Sequence, residues 1–111
     1  MADFKRYLVV VRLSAAETGL GLLAERVTAI RSILAWISRG AVNLIFSTKD
    51  AELFGLQVDT TRAAAELRAA VEGGQVLGGQ SWIMVLELGP TMAASPGNSS
   101  GWRHLQQPLP K

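Results

Sequence analysis

The stretch that decides the fold is residues 42–59, VNLIFSTKDAELFGLQVD. Two runs rich in branched and aromatic apolar residues, 42–48 and 53–59, flank a short polar turn, and this pattern predicts a β-hairpin. Apolar side chains alternate along both runs, so Phe46 and Phe54 are each expected on the core side of their strand. A hairpin at this place interrupts the alternation of strands and helices, which argues against a fold built from repeated strand–helix units.

The segments on either side of the hairpin complete the order of elements. Upstream, RYLVVVRL over residues 6–13 predicts a strand, and the spacing of apolar residues predicts a helix over residues 15–37. Downstream, we expect a helix over residues 61–72 and a strand, WIMVLEL, over residues 82–88. This order predicts an α+β fold, a ferredoxin-like βαββαβ sandwich with a four-stranded antiparallel-type sheet and two helices on one face.

Local signals refine the two predicted helices. In the first helix, Arg26 falls outside the apolar stripe and is expected to point away from the core, and Gly40 is expected to end the helix. In the second helix, Asp59 or Thr60 is expected to cap the N-terminus, because short oxygen-bearing side chains accept hydrogen bonds from the first free N–H groups.

The predicted sheet has strands one and three in the centre as parallel neighbours, with strand four beside strand one and strand two beside strand three. Both strand–helix–strand connections are then right-handed. Alternation assigns six apolar side chains to the face without helices, and they are Leu8, Val10, Ile45, Leu53, Ile83 and Val85. A face this apolar is expected to meet a partner, and a second copy of the sheet is the simplest one. The sequence therefore predicts a homodimer whose interface is this open face.

Two charged residues, Arg12 and Asp59, are expected on the same open face. Each ends one of the two central strands, so parallel neighbours would bring the two side chains together. We interpret them as an ion pair that fixes the strand register and lies partly under the dimer partner. The alternative is a small polar site for an anion or a substrate, because perturbed charged groups also mark functional sites.

Composition bounds the domain and its partners. Residues 1–90 form the expected domain, and residues 91–111, rich in Pro, Gly, Ser and Asn, form the expected flexible C-terminal tail. Nine basic and nine acidic residues balance within residues 1–90, and no basic run is longer than Lys5-Arg6. A nucleic-acid binder usually concentrates positive charge on one face, so binding of nucleic acid is not expected.

Residue usage also points to a compartment. The chain has no cysteine, which fits a reducing environment. The apolar stretch near the N-terminus is broken by Arg12 and is too short for a signal peptide. No segment approaches the ~20 apolar residues of a membrane span. We therefore expect a soluble cytoplasmic protein without membrane contact.

No set of residues for catalysis is recognisable. The single histidine, His104, lies in the predicted tail, so neither a Ser–His pair nor a His/Cys metal site is expected in the domain. The run GLGLLA at 19–24 matches a dinucleotide-binding pattern but begins too far after the first strand to hold a phosphate. Asp50, Glu52 and Asp59 could bind magnesium, and the simpler interpretation is a solvated turn and a helix cap. We expect no catalytic, cofactor or metal residue.

A resemblance is carried by residues 53–90. They contain a strand ending in Asp-Thr, a short helix written TTRAAAELRAAV, a loop and the apolar strand SWIMVLELG. In these features the chain resembles the SinR-like proteins, small ferredoxin-like proteins related in fold to the CRISPR-associated endoribonucleases of spacer acquisition. The nuclease relatives carry an acidic residue at the end of strand one, where this chain has Arg12 or its neighbour Leu13. The resemblance implies the fold, no nuclease activity and no defined activity.

Together these features favour a non-enzymatic homodimeric binding or scaffolding module, with another protein as a further expected partner. The first alternative is a small-ligand sensor or enzyme of the dimeric α+β-barrel type, which needs a pocket lined by Tyr7, Trp36 or Trp82. The second alternative is single-stranded RNA binding, because residues 52–59 resemble the aromatic strand of an RNA-recognition motif. That function needs Phe54 directed outward to stack on bases and a basic stripe across the dimer.

Overall fold

The computed structural model describes residues 3–14, 23–48, 52–74, 76–78 and 80–89. These residues form an α+β fold with the predicted order of four strands and two helices. The elements are β1 (Lys5–Arg12), α1 (Leu23–Ser38), β2 (Val42–Ser47), β3 (Leu53–Thr60), α2 (Ala64–Gly73) and β4 (Trp82–Glu87). The predicted tail at 91–111 and the first part of the predicted helix, 15–22, lie outside the described residues.

The four strands form one open sheet in the order β2-β3-β1-β4, which is the predicted neighbour order. Every neighbouring pair is antiparallel, so the prediction that strands one and three run parallel is wrong. The chain returns through α1 to start β2 in the direction of β1, and the hairpin then reverses β3. Because β1 and β3 run in opposite directions, Arg6 faces Asp59 and Arg12 faces Leu53 across the sheet.

Both helices pack on the same face of the sheet through one apolar core. α1 contributes the fully buried Ile30 and Leu34, and α2 contributes Leu67 and Val71. The two central strands meet them with alternate residues, which are Tyr7, Val9, Val11, Phe54, Leu56 and Val58. Burial of each large side chain in such a core contributes roughly 1.5–3 kcal/mol. This face therefore holds the domain together.

Arg26 of α1 departs from its prediction, because it is buried rather than directed away from the core. Only 2% of its surface is exposed. Its Nε and Nη2 donate to the carbonyl oxygen of Val76 at 3.0 and 2.9 Å, and Nη1 and Nη2 donate to Ser14 O and Ser81 Oγ at 3.3 Å each. A buried cation is tolerated when its N–H groups find such acceptors. Arg26 thereby ties the segment that leads into β4 to the first helix.

The helix ends also differ from the predicted caps. α1 ends at Ser38, and Arg39 rather than Gly40 takes the left-handed conformation after it, with φ of 57°. α2 has Ala63 at its N-cap, and the Glu66 carboxylate accepts the Ala63 N–H at 3.3 Å. Asp59 and Thr60 are therefore not the cap of α2. They belong to β3, and Asp59 is engaged by a different partner.

Candidate functional site

Strand register assigns each side chain of the sheet to one of two faces, because residues directly opposite on antiparallel strands share a face. The face covered by the helices is called the helix face, and the other is called the second face. The second face consists of Arg6, Leu8, Val10 and Arg12 from β1, Asn43 and Phe46 from β2, Leu53, Gly55, Gln57 and Asp59 from β3, and Trp82, Met84 and Leu86 from β4. The structure thus places the predicted residues Leu8, Val10 and Leu53 on this face.

The other two predicted residues from β4, Ile83 and Val85, lie on the helix face. They pair with buried residues of β1 and pack against the core, so the prediction of an open-face position is wrong for both. β4 is apolar on both sides, and alternation alone could not decide which side faces the helices. The second face of β4 carries Trp82, Met84 and Leu86 instead, with 42%, 43% and 42% of their surfaces exposed.

A β-bulge changes the facing of β2. The register with β3 shifts between Leu44 and Phe46, and Ile45 is the extra residue of this irregularity. A bulge of this kind inserts one residue and reverses the alternation beyond it. Phe46 is therefore opposite Gly55 on the second face rather than on the core side, and a side chain at Gly55 would collide with its ring. The glycine makes room for an aromatic ring that remains partly exposed.

A polar cluster lies on the second face at the start of β1. Nε and Nη2 of Arg6 donate to the two carboxylate oxygens of Asp59 at 2.8 and 2.9 Å, and only 7% and 16% of the two side chains are exposed. Gln57 donates from Nε2 to the same two oxygens at 3.3 Å each. Bidentate pairing of this geometry is the strong form of an Arg–carboxylate contact. The cluster therefore joins the two central strands.

The predicted pair of Arg12 and Asp59 does not form, because the two residues lie at opposite ends of the sheet. Arg12 is exposed and pairs in register with Leu53, while Asp59 is held by Arg6. The prediction had the right acidic residue and the wrong arginine. The signal that could have found Arg6 is the direction of the strands, since a hairpin after a strand–helix–strand unit leaves β3 antiparallel to β1.

Gln57 adds an unusual feature to this cluster, since it is buried with 3% of its surface exposed. Its amide nitrogen must face Asp59, because a carboxylate only accepts hydrogen bonds. Its Oε1 then finds no hydrogen-bond donor among the described residues. A buried acceptor without a donor costs about 1–3 kcal/mol. This cost offsets part of the stabilisation that the ion pair of Arg6 and Asp59 provides.

The three aromatic residues named for the ligand pocket of the small-ligand alternative lie in three different places. Tyr7 is buried on the helix face, where its hydroxyl donates to the carbonyl oxygen of Arg62 at 2.9 Å. Trp82 lies on the opposite face of the sheet, and Trp36 is exposed on α1. These side chains cannot line a common cavity.

A polar depression of about 310 Å³ lies where α1 ends and α2 begins, and its walls include Arg39, Thr61, Arg62 and Glu66. Two arginines beside a helix N-terminus would attract an anion. The Glu66 carboxylate already occupies that position, where it accepts hydrogen bonds from Ala63 N–H and from Arg62 Nη1. The carboxylate that pairs with the N-terminus of α2 therefore comes from the helix itself.

The carboxylate candidates do not form a metal site in the described part of the chain. Glu52 and Asp59 lie at opposite ends of β3, and Asp50 lies outside the described residues. Among the described residues, no group of three or more His, Asp or Glu side chains comes close enough to hold a metal ion.

The aromatic residue proposed for base stacking, Phe54, is fully buried on the helix face. An RNA-recognition sheet presents such rings on the open face. The aromatic residues that do reach the second face are Phe46 and Trp82, at opposite edges of the sheet. Near the last residue of β4, the basic residue Lys5 is paired with Glu87 at 3.6 Å.

Comparison with models of protein families, with curated proteins and with solved structures finds no match to this chain. The resemblance to SinR-like proteins stays a prediction from the sequence. No helix among the described residues is long and apolar enough to cross a membrane.

Proposed function

We propose that this protein is a non-enzymatic cytoplasmic binding or scaffolding module of ferredoxin-like fold that works as a homodimer closed through the second face. The observation that carries the proposal is the row of Trp82, Met84 and Leu86, each about two-fifths exposed on one side of a single strand. Leu8 and Val10 continue this apolar surface across the centre of the sheet to Phe46. Contiguous apolar surface of this kind marks an interaction site.

The charges of the second face are compatible with burial. Arg6 and Asp59 neutralise each other within one chain, so a partner that excludes water does not leave either charge unpaired. A buried charge without a partner would cost several kcal/mol. Arg12 lies at the end of β1, where it can stay in contact with water at the rim of an interface. The internal pairing also supports a structural role for Asp59 over a site for an anion.

The size of the second face sets the expected strength of the contact. Four strands at ~4.8 Å spacing and six to eight residues at ~3.4 Å rise give a face of roughly 20 by 25 Å. A standard interface buries about 800 Å² on each partner, so this face lies at the small end of the range. We expect a dimer that is populated at micromolar concentration and dissociates on dilution.

The arrangement of the apolar residues favours a second copy as the partner. The β4 row lies on one side of the central strand β1, and Phe46 lies on the other side. A two-fold axis that runs parallel to the strands, between β1 and β3 and midway between two stacked sheets, would bring the β4 row of each copy over Phe46 of the other. Such self-complementarity is what an isologous interface requires.

Two neighbouring positions on β2 test which face is used. Phe46 and Leu44 have similar exposure, 37% and 40%, but Phe46 is on the second face and Leu44 is on the helix face. We expect Phe46→Glu to convert the protein to a monomer in light scattering after gel filtration, because a charge would be buried without a partner. Leu44→Glu, the matched control, should leave the dimer intact. Equal effects of the two substitutions, or none, would show that the second face is not the interface.

A further inference from the structure

β4 is an edge strand whose outer side lacks the usual features that prevent pairing with another strand. Within the described sheet it pairs only with β1. Its sequence, WIMVLE, carries one charge and neither lysine nor proline. Natural edge strands usually carry bulges, lysine or proline, which prevent pairing with another chain. The outer edge of β4 has none of these protections.

The other edge strand, β2, has a feature that hinders pairing with another chain. β2 has its register interrupted by the bulge between Leu44 and Phe46, which bends the strand. β4 pairs with β1 over its whole length without any shift of register. A regular edge presents evenly spaced backbone groups, so β4 is the edge that another strand can join.

The backbone groups available on β4 can be identified from its pairing. The N–H of Leu88 donates to the carbonyl oxygen of Arg6 at 2.8 Å, so even-numbered residues of this strand direct their backbone groups toward β1. In a strand, successive residues direct these groups to opposite sides. Ile83, Val85 and Glu87 therefore present one donor and one acceptor each on the outer edge.

We propose that the outer edge of β4 pairs antiparallel with β4 of a second copy, around a two-fold axis at Val85. In this register Val85 faces Val85 of the second copy, and Ile83 faces Glu87 of the second copy on both sides of the axis. All outward donors and acceptors of Ile83, Val85 and Glu87 are then satisfied. The two sheets join into one, with the helices of both copies on the same side.

Charge complementarity selects this register. Glu87 is on the helix face of β4, opposite Tyr7, and Arg68 of α2 lines the same groove as Ile83. Pairing Ile83 with Glu87 of the second copy brings that carboxylate beside Arg68, and the symmetry repeats the contact. Among the described residues Arg68 has an exposed contact with Glu72 at 3.2 Å, and Glu87 has an exposed contact with Lys5 at 3.6 Å, so both charged groups remain accessible to a second copy. A shift by two residues in one direction would place Glu87 opposite Ser81 and lose this contact. The opposite shift would place Glu87 opposite Val85 and Ile83 opposite Gly89, which lies beyond the end of β4.

The groove beside β4 has room for the second strand. Its walls are Ala64, Ala65 and Arg68 of α2 together with Ile83, Met84 and Val85, and its volume is about 320 Å³. Two of the three wall residues from α2 are alanines, so Arg68 is the one large side chain of the helix that Val85 from a second copy would meet in this groove. A taller residue at these positions would close the groove.

This edge contact is separate from the dimer through the second face. Edge pairing leaves the second faces of both copies free, so the two contacts can exist together. One strand pair buries less surface than a whole sheet face, and we expect the edge contact at higher protein concentration. The Phe46→Glu variant isolates it, because that substitution disrupts the second face and leaves β4 unchanged.

The chain has no cysteine, so a single introduced thiol reports the edge contact cleanly. Hydrogen-bonded antiparallel partners have Cα atoms about 5.5 Å apart, which fits a disulfide. We expect Val85→Cys to form a covalent dimer under oxidised glutathione, in the unaltered and in the Phe46→Glu background. The matched control is Ile83→Cys on the same face, whose two copies would be about 14 Å apart and cannot be bridged.

Because Val85 is half-buried, a surface pair provides a second readout that does not depend on its substitution. In the proposed register Met84 faces Leu86 of the second copy at a non-hydrogen-bonded position, with Cα atoms about 4.5 Å apart. In the Phe46→Glu background the double variant Met84→Cys/Leu86→Cys should therefore cross-link, and each single variant should not. Cross-linking by neither Val85→Cys nor the double variant would overturn the proposal.

A charge exchange tests the register itself. Glu87→Arg should lower the yield of the Val85→Cys cross-link about fivefold, since two attractive contacts become repulsive. Adding Arg68→Glu to the same chain should restore the yield. A Val85→Cys yield that equals the Ile83→Cys yield, or that does not respond to either charge substitution, would contradict the proposed pairing.

Discussion

The two faces of the sheet are made by alternate residues of the same strands, and they differ in how far their side chains are buried. On the helix face Val9, Val11 and Phe54 have no exposed surface. On the second face Trp82 and Met84 keep about two-fifths of theirs, and the buried side chains there include the polar Arg6 and Gln57. The difference shows that this chain completes one face with its own helices and leaves large apolar side chains partly exposed on the other, where we propose that a partner binds.

The largest difference in stability between substitutions on the two faces is expected for two phenylalanines, one on each face. Phe54→Ala should lower the free energy of unfolding by about 3–5 kcal/mol, because it leaves a cavity in a closed core. Phe46→Ala should cost less than about 1.5 kcal/mol, because its ring already contacts water and covers only Gly55. Urea unfolding at concentrations where the protein is monomeric measures both. Similar costs for the two substitutions would contradict the assignment of the faces.

The next effect concerns the polar cluster of the second face. Arg6→Ala should cost about 2–3 kcal/mol, somewhat below the 3–5 kcal/mol of a fully buried broken pair, since Asp59 keeps Gln57 and some water. Arg12→Ala, the matched control on the same strand, should change stability by less than about 0.5 kcal/mol.

A double-mutant cycle sharpens this prediction. Coupling measured between Arg6→Ala and Asp59→Ala should be clear, and coupling between Arg12→Ala and Asp59→Ala should be near zero. The reverse result would mean that β1 and β3 run parallel.

Substitutions of two tryptophans should change stability little, and only one of the two should weaken association. Trp82→Ala should weaken the dimer about tenfold or more, because tryptophan is among the residues that most often carry the binding energy of an interface. Trp36→Ala removes a ring that is 82% exposed on α1 and should leave the dissociation constant unchanged. Sedimentation velocity over a dilution series measures both, and an equal response of the two variants would place the interface elsewhere.

The smallest effect is expected for the C-terminal segment. If a second copy covers the second face, truncation after Gly89 should leave both the melting temperature and the dissociation constant nearly unchanged, because the composition of residues 90–111 cannot build a core. Thermal unfolding and sedimentation of the truncated chain test this. A loss of several degrees together with stronger association would indicate that the segment itself shields the second face.

The sequence predicted the parts of the fold that have a clear period. The order of elements and the core side of β1 follow from alternation between charged ends and a valine-rich centre. β4 was assigned to the wrong side because Ile83, Met84 and Val85 are equally apolar, so alternation carries no information there. The facing of Phe46 depends on a bulge, which leaves no composition signal in this strand.

The candidate site shows the same division. Asp59 was recognised as a paired carboxylate from its position at the end of β3. Its partner depended on strand direction, which is a property of the whole topology, and an error there exchanged Arg6 for Arg12. The burial of Arg26 depends on carbonyl groups of a distant loop, Val76 among them, and no local pattern predicts such contacts.

The central claim is that the protein associates with a second copy of itself, and sedimentation equilibrium of the unaltered chain over a dilution series tests it most directly. The account predicts a species of twice the 11.9 kDa chain mass at about ten micromolar and dissociation to single chains at lower concentration, because the face lies at the small end of the range for stable interfaces. A single-chain mass at every concentration up to about one hundred micromolar would contradict it, because exposed apolar surface would then remain in water without a partner.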